Sequence, residues 1–349
     1  IQPDILICRA ERPLAPDIKR KIALFCNVDY SCVVESPDVR TIYEIPLKFA
    51  EQGLDDVVCE RLRLETRKPD LGGWETMVQK VLAPKREVRI AVVGKYTDLH
   101  DAYKSVSEAL IHGGIAHDAG VRVDWHGSDQ FTDQETAGRL LAGYDGLLVP
   151  GGFGVRGIEG MIHAIRWARE HDLPFFGICL GLQVAIIEFA RTVCGMEGTT
   201  STEFEPECDA PVISLMADQR QVKDLGGTMR LGAYTARLRA GSRAAQAYGT
   251  TEISERHRHR WEVNNAYRDL LAEHGLRLSG QSPDGGLVEM IELPEHPWFV
   301  GCQFHPELKS RPMRPHPLFA AFIGAAVEQH ARAAAPKEQA ARPAAGTAR

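Results

Sequence analysis

Long hydrophobic runs are missing from this sequence, and so is an excess of positive charge. Its apolar stretches are short and interrupted, well below the ~20 residues that a helix needs to cross a bilayer. No signal segment is visible, and we expect a cytoplasmic protein that does not bind membranes. With a formal net charge of -6, the composition gives no indication of a surface for nucleic acid.

Paired cysteines are also missing. The eight cysteines are scattered, without a CxxC pair or a regular spacing, which argues against a disulfide framework and against a zinc site. We therefore expect no bound metal, and reduced thiols that are mostly buried as small apolar side chains. The cysteines are Cys8, Cys26, Cys32, Cys59, Cys179, Cys194, Cys208 and Cys302.

The length of 349 residues predicts at least two domains, since single domains usually contain roughly 100–200 residues. Residues 1–67 combine one short apolar strand with helical patterns at 16–25 and 43–52. This is typical of the end of an α/β domain, and we expect the chain to begin inside one. Residues 68–87 carry Pro, Gly-Gly and charges around one short amphipathic helix, which indicates a linker.

Strand and helix patterns alternate from residue 88 onward. The alternation predicts an α/β fold over residues 88–330, with a mostly parallel sheet and helices on both faces. We expect residues 331–349, which are rich in Ala, Pro and Arg, to be disordered. Strands are predicted at 88–93, 121–125, 146–149, 175–178, 228–238, 276–279, 287–293 and 298–303, and helices at 102–111, 158–169, 183–190 and 318–330.

Cys179 lies between two glycines, in Gly-Ile-Cys-Leu-Gly, where an apolar strand passes into a helix. This is the arrangement of a nucleophile elbow, in which glycines allow a tight turn that exposes the reactive side chain. The helix N-terminus behind the sulfur favours a thiolate. The alternative is a buried cysteine in a glycine-flanked turn.

His305 and Glu307 follow the last predicted strand, in Phe-His-Pro-Glu. A histidine at a strand end can project over the carboxyl edge of an open α/β sheet, where such folds build their sites. It could take the thiol proton and later protonate a leaving amine, while Glu307 orients the imidazole. A histidine before proline would more often be an ordinary loop residue, and only the cysteine elbow reverses those odds.

A glycine-rich loop, Pro-Gly-Gly-Phe-Gly at 150–154, follows another predicted strand. Its glycines free the backbone to direct N–H groups into a small cavity, which suits an oxyanion hole. The alternative is a phosphate-binding loop, but the Lys-Ser/Thr ending of a P-loop is absent.

In chain order, Pro-Gly-Gly-Phe-Gly at 150–154, Gly-Ile-Cys-Leu-Gly-Leu-Gln at 177–183 and Phe-His-Pro-Glu at 304–307 resemble the class I glutamine amidotransferase domain, and further segments resemble the CTP synthase family. The latter are Gly-Lys-Tyr at 94–96 with Thr-Asp-Leu at 97–99, Gly-Thr-Met-Arg-Leu-Gly at 227–232, and Arg-His-Arg-His-Arg at 256–260 with Glu-Val-Asn-Asn at 262–265. Residues 1–67 are similar to the end of that family's synthetase (amidoligase) domain. The resemblance implies a class I amidotransferase fold preceded by an incomplete α/β synthetase fragment.

The resemblance implies a Cys179, His305 and Glu307 triad that hydrolyses L-glutamine through a thioester. It also implies oxyanion contacts from Gly152 and Leu180, with the adjoining Gly181 and Leu182 beside the substrate. Gln183, Glu203 and Arg260 would hold the glutamine, since its ammonium and carboxylate need one acid and one fork-like donor. Glu203 could instead be a solvated loop acid, and Arg260 part of an exposed basic face.

The resemblance also implies nucleotide partners. Arg230 would lie in a lid loop linked to activation by GTP, Lys21 would contact the UTP phosphates, and Pro37, Asp38 and Val39 would lie near the ATP base. The ammonia would aminate UTP to CTP in a homotetramer that uses ATP and Mg²⁺, with no cofactor in the glutaminase domain itself. Because the family's ATP loop and magnesium-binding acids would lie upstream of Ile1, we expect these 349 residues not to phosphorylate UTP.

Two other functions stay open on sequence alone. One is the glutaminase subunit of another amidotransferase, or a γ-glutamyl hydrolase, built on the same three side chains. The other is a regulatory or assembly module in which turnover is incidental.

Overall fold

The computed structural model describes residues 2–97, 99–215 and 229–341, and it divides the chain into two compact units, residues 1–85 and 86–349. Asp98, Gly227 and Thr228, which belong to the resembling segments, lie outside the described residues. Among the helices described, none is sufficiently long and apolar to span a membrane.

The first unit contains a small parallel sheet and four helices. Strand β1 (Leu6–Ala10) pairs with β2 (Val33–Pro37). The helices are α1 (Pro16–Cys26), α2 (Ile45–Glu51), α3 (Leu54–Leu62) and α4 (Gly72–Leu82). Helix α4 lies in the predicted linker but belongs to this unit, since the indole N–H of Trp74 donates to the Tyr43 carbonyl at 2.7 Å.

The second unit is built on one nine-stranded sheet. Its strands are β3 (Arg86–Gly94), β4 (Ala119–Gly127), β5 (Gly146–Val149), β6 (Phe175–Ile178), β8 (Arg230–Leu238), β9 (Glu252–His259), β11 (Arg277–Gln281), β12 (Val288–Glu292) and β13 (Phe299–Cys302); β7 (Ile213–Ser214) pairs separately with β10 (Glu262–Val263). The strand order is β4-β3-β5-β6-β13-β12-β11-β8-β9. Strands β4, β3, β5, β6 and β13 are mutually parallel, while the pairings from β13 through to β9 are antiparallel. The predicted α/β class is confirmed.

Helices cover both faces of the parallel half, so its central strands are apolar on both sides. A hydrophobic core lies on each face of the sheet, and adjacent strand residues point into different cores. Phe175 packs into one core and Phe176 into the other. The helices are α5 (Lys104–Ala116), α6 (Gln134–Leu141), α7 (Ile158–Glu170), α8 (Leu180–Thr192), α9 (Arg243–Tyr248), α10 (Arg268–Glu273) and α11 (Pro317–Ala341).

Helix α11 continues past His330, where the sequence analysis ended it, to Ala341. The first part of the tail that we expected to be disordered is therefore helical. The Ala-rich composition of this stretch accounts for the difference, because alanine has the highest helix propensity. Residues 342–349, the rest of that tail, lie outside the described residues.

Candidate active site

Four strand ends meet at one edge of the sheet, because β3, β5, β6 and β13 are parallel. Lys95 follows β3, the glycine-rich loop follows β5, Cys179 follows β6, and the segment with His305 follows β13. Open α/β sheets bind ligands at the carboxyl ends of their strands. The three motifs that lie far apart in the sequence therefore share one edge.

Cys179 occupies a strained position at this edge. It lies between β6 and α8 with φ 52° and ψ -98°. A positive φ of this kind costs a non-glycine residue about 1–3 kcal/mol, and it persists only where the surrounding structure enforces it. Here the Cys179 N–H donates to the Cys302 carbonyl at 2.7 Å, and the Gln183 N–H donates to the Cys179 carbonyl at 3.2 Å. The residue is 4% exposed.

The flanking glycines serve close packing, whereas the positive φ falls on the cysteine itself. A Cβ on Gly181 would lie 2.1 Å from the Val149 carbonyl oxygen, and one on Gly177 would lie 2.8 Å from the Gly181 backbone. The start of α8 therefore rests directly on the end of β5. Larger residues at these two positions would push the elbow away from the sheet.

His305 is held between the sulfur and a carboxylate. Cys302 pairs with Ile178 across β13 and β6, which brings the segment after β13 beside the elbow. The Nδ1 of His305 lies 2.7 Å from Oε1 of Glu307, and the same ring lies beside Cys179, since a Cβ on Gly151 would be close to both residues. Burial lowers the pKa of His305, but the hydrogen bonds and charges of Cys179 and Glu307 outweigh burial and raise that pKa to about 10.

The glycine-rich loop closes the other side of the sulfur. A Cβ on Gly151 would lie 2.9 Å from Cε1 of His305 and 3.6 Å from the Cys179 Cβ, and one on Gly152 would lie 3.1 Å from Cδ2 of Leu180. Leu180 is the first residue of α8, and the first N–H groups of a helix have no partner within it. The backbone of Gly152 and that of Leu180 thus lie next to the cysteine.

Glu203 reaches the same loop. Its Oε1 accepts from the Gly154 N–H at 2.8 Å. Burial raises the pKa of the Glu203 carboxyl, while the Gly154 N–H and the charges of Lys95 and Arg260 lower it. Glu203 and Arg260, which the sequence analysis assigned to one substrate, are therefore close enough for their charges to interact.

Lys95 is a residue to which the sequence analysis assigned no role. Its ammonium donates to the Phe153 carbonyl at 3.2 Å and also to the Gly154 carbonyl. Burial, with Arg156 nearby, lowers the pKa of Lys95 to about 8 against the opposing charge of Glu203. Its place directly after β3 was the available signal, because the other site motifs also follow strand ends.

Other predicted glutamine contacts are buried. Gly181 packs on Val149, and Leu182 is fully buried in the core. Gln183, 3% exposed, donates through Nε2 to the Trp261 carbonyl at 3.1 Å and to Oε1 of Gln303 at 3.2 Å. Gln303 was missed by the sequence analysis, since it lies in an apolar strand context with no motif of its own.

Arg230, predicted in a lid loop, begins β8 and is paired inside the protein. It contacts Oε1 of Glu289 at 2.8 Å and Oε1 of Glu262 at 3.3 Å. His257 and His259 complete the group, with their rings hydrogen-bonded at 2.9 Å. A cavity of about 800 Å³ adjoins it, lined among others by Arg230, Tyr234, Glu262 and Leu287.

The predicted nucleotide residues lie in the first unit. Lys21 is an exposed residue of α1, Pro37 ends β2, and Asp38 is exposed and accepts from Arg9 at 3.2 Å. Val39 is half-buried in the segment after β2.

Comparison with known proteins gives two family matches. Residues 98–325 match the model described as glutamine amidotransferase class-I, and residues 1–64 match CTP synthase N-terminus. The chain is 55% identical over 330 residues to CTP synthase of Geobacter sulfurreducens, covering 94% of this chain and 61% of that protein. It is 57% identical over 337 residues to CTP synthase of Saccharopolyspora erythraea, covering 95% of this chain and 59% of that protein.

A solved structure, the Trypanosoma brucei CTPS glutaminase domain with bound acivicin, is also similar. It aligns with a TM-score of 0.65 and 38% sequence identity, covering 69% of this chain and 94% of that one. The chain spans about three fifths of the length of the curated relatives it matches.

Proposed function

Because the chain belongs to the class I glutamine amidotransferase family and its resemblance to CTP synthase is confirmed, we propose that it hydrolyses glutamine at Cys179 to supply ammonia for CTP formation. The observation that carries this proposal is the geometry at the sheet edge. A strained cysteine at a helix N-terminus lies beside a histidine, which a carboxylate orients in turn. Nucleophile, base and orienting group are the parts that covalent acyl transfer needs.

In the proposed reaction the Cys179 sulfur attacks the side-chain amide carbon of glutamine and forms a C–S bond. The oxyanion accepts hydrogen bonds from the backbone N–H groups of Gly152 and Leu180, a contribution of about 2.7–4 kcal/mol per donor. The imidazolium of His305 gives its proton to the departing nitrogen, and the C–N bond breaks to leave a thioester. Water, deprotonated by His305, then releases glutamate and restores the thiolate.

Glu203 and Arg260 are proposed to bind the two charges of the substrate's amino-acid group. A carboxylate is needed for the ammonium and a guanidinium for the carboxylate. Lys95, Arg260 and the Gly154 N–H support the ionised form of Glu203 against its burial. Nε2 of Gln183 already donates to Trp261 and Gln303. The proposed contact of Gln183 with the substrate would therefore use its Oε1.

We propose that the ammonia is used to aminate UTP at its 4-position, in a larger protein that takes ATP and responds to GTP. The match of residues 1–64 to CTP synthase N-terminus supports this, as do the close CTP synthase relatives. Lys21, with Pro37, Asp38 and Val39, would contribute to the nucleotide site, and Arg230 to the GTP response. Assembly into a tetramer is part of the same proposal.

Magnesium has no fitting site among the residues that the structure describes, because no group of three or more His, Cys, Asp or Glu side chains there could hold a metal ion. All eight cysteines are free thiols, which fits a reducing compartment, and we propose the cytoplasm.

The test is to compare Cys179→Ala with the unchanged chain for release of glutamate from glutamine. We expect hydrolysis to fall to background in Cys179→Ala. The matched control is Cys59→Ala, which removes a free thiol in the first unit and is expected to leave the rate unchanged. Full glutaminase activity in Cys179→Ala would overturn the proposal.

The amination is tested separately, by assaying the full-length protein for CTP formed from UTP with glutamine. CTP is expected, and it should be lost in Cys179→Ala but restored by added ammonia. Glutamine hydrolysis without any CTP would instead favour another amidotransferase or a γ-glutamyl hydrolase.

A further inference from the structure

Gln303 is a fully buried polar side chain that touches the reactive sulfur. Its backbone N–H donates to the Glu289 carbonyl at 2.9 Å, which prolongs the pairing of β13 with β12. Its side-chain Nε2 lies 3.7 Å from Sγ of Cys179. The residue is 0% exposed, so solvent does not replace this donor when it is removed.

The orientation of the Gln303 amide is determined by its other neighbours. A backbone carbonyl can only accept, so the Trp261 oxygen requires Gln183 to present its NH₂ group there. The same Nε2 lies 3.2 Å from Gln303, and two donors cannot face each other. Gln303 must therefore present Oε1 to Gln183, which leaves its Nε2 to face the sulfur.

We propose that Gln303 is a positioning residue for the nucleophile, holding Sγ of Cys179 as a hydrogen-bond acceptor through a relay from Trp261 by way of Gln183. The inference rests on the proposed function and adds a residue to it. A donor that faces the sulfur favours the thiolate over the thiol, since hydrogen bonding to a charged form stabilises it. It also leaves the opposite side of the sulfur for His305.

Among the residues that the structure describes, titratable groups also lie near the sulfur. They are His305, Glu307 behind it, and the Cys302 thiol on the neighbouring strand, whose pKa burial raises. All three are retained in the variants below, so a change in the sulfur's behaviour is attributable to the amide.

The experiment measures alkylation of Cys179 by iodoacetamide in the full chain as a function of pH, with the modified peptide quantified by mass spectrometry. In Gln303→Met, which keeps the bulk and removes the donor, we expect the alkylation rate at pH values below the half-plateau to fall about three- to tenfold. The pH at half-plateau should rise by about half to one unit, since one unit corresponds to a factor of ten. The plateau rate at high pH should be retained.

Gln303→Glu is the second variant, because it keeps an acceptor for Gln183 and nearly the same volume. A carboxylate beside the sulfur disfavours a second negative charge, so the shift should exceed that of Gln303→Met. In glutamine hydrolysis, both variants should lower kcat more than they raise KM. Gln246→Met, on the surface, is the matched control and should behave as the unchanged chain.

Superimposable alkylation profiles for the two Gln303 variants and the unchanged chain would overturn the inference. So would a lower plateau without a shift along the pH axis, because that is the result of a merely structural role. If thermal unfolding shows that Gln303→Met does not fold, the alkylation profile of Gln303→Glu alone decides between the inference and its rejection. Cys179→Ala separates the two proposals: if it retains glutaminase activity the proposed function fails, whereas unchanged Gln303 variants beside an inactive Cys179→Ala remove only the inference.

Discussion

The imidazole of His305 illustrates what neighbours do to a single buried residue. Burial alone would keep it neutral, yet the sulfur and Glu307 hold it protonated, with its pKa raised to about 10. A raised histidine pKa contributes stability that is fully present below the ordinary value near 6.5 and is lost as pH rises through about 10. The same proton is the one that the departing ammonia would take.

Glu307→Gln tests this arrangement. Without the carboxylate, the pKa of His305 falls and the ring is less well oriented, so we expect kcat for glutamine hydrolysis to drop by about 10²-fold. The alkaline limb of kcat/KM should move to lower pH, since the imidazolium loses its proton earlier. The pH profile of glutamate release measures both.

Glu205→Gln is the control for that prediction, as it removes the same charge at an exposed position. Its profile should match that of the unchanged chain. An alkaline limb that stays in place in Glu307→Gln would contradict the role given to the carboxylate.

At the scale of elements, the site depends on how closely α8 approaches β5. The contact is between backbones, at Gly181 and the Val149 carbonyl, and neither side can yield as a flexible side chain would. The position of the elbow is therefore tied to the packing of one helix on one strand.

Gly181→Ala is predicted to displace the elbow, because its Cβ would lie 2.1 Å from the Val149 oxygen. Overpacking of this kind destabilises by about 1–3 kcal/mol or more, so Tm should fall and glutaminase activity should be lost. Gly72→Ala is the matched control, since a Cβ there meets only the Asp70 carboxylate at 3.4 Å. Thermal unfolding and activity equal to those of the unchanged chain in Gly181→Ala would refute the prediction.

At the scale of the whole molecule, buried ionisable side chains link the antiparallel half of the large sheet to the separate β7–β10 pair. Arg230 on β8 joins Glu289 on β12 to Glu262 on β10, beside the two histidines of β9. Burial, Arg230 and neighbouring histidines lower the pKa of His257 to about 2, and burial with Arg230 lowers that of His259 to about 3. Both rings are therefore neutral at pH 7.

A lowered histidine pKa makes stability depend on pH in a defined direction. The unfolded chain binds protons below about pH 6.5 while the folded chain does not, so stability is lost as pH falls from there. The loss is at most about 1.4 kcal/mol per pH unit for each histidine. Burial raises the pKa of Glu262 to about 8, so this residue adds stability as pH falls, opposite to the histidines. Glu262 is present in all the variants compared.

The double variant His257→Gln with His259→Gln should show a shallower loss of stability between pH 6.5 and 4.5 than the unchanged chain. Urea denaturation at several pH values gives the free energy of unfolding from which the slopes are taken. His274→Gln, an exposed histidine, should keep the original slope. Parallel curves for the double variant and the unchanged chain would exclude the two rings as the cause.

Sequence alone determined the class of fold and the family. Alternating strand and helix periods predicted the α/β sheet, and three short motifs indicated Cys179, His305 and the glycine-rich loop as candidate site residues, because reactive elbows and strand-end loops need particular residue types at fixed local spacing. These signals are local, so one chain segment is enough to reveal them.

The tertiary structure alone decided the rest. It brought Lys95 to the site, placed Gln303 against the sulfur, buried Arg230 between Glu262 and Glu289, and showed that the glycines beside Cys179 serve backbone contact. Each of these depends on which strands become neighbours in the sheet, and strand pairing joins residues far apart in the chain. Burial and charge proximity, which set the protonation of His305 and His257, arise only from that pairing.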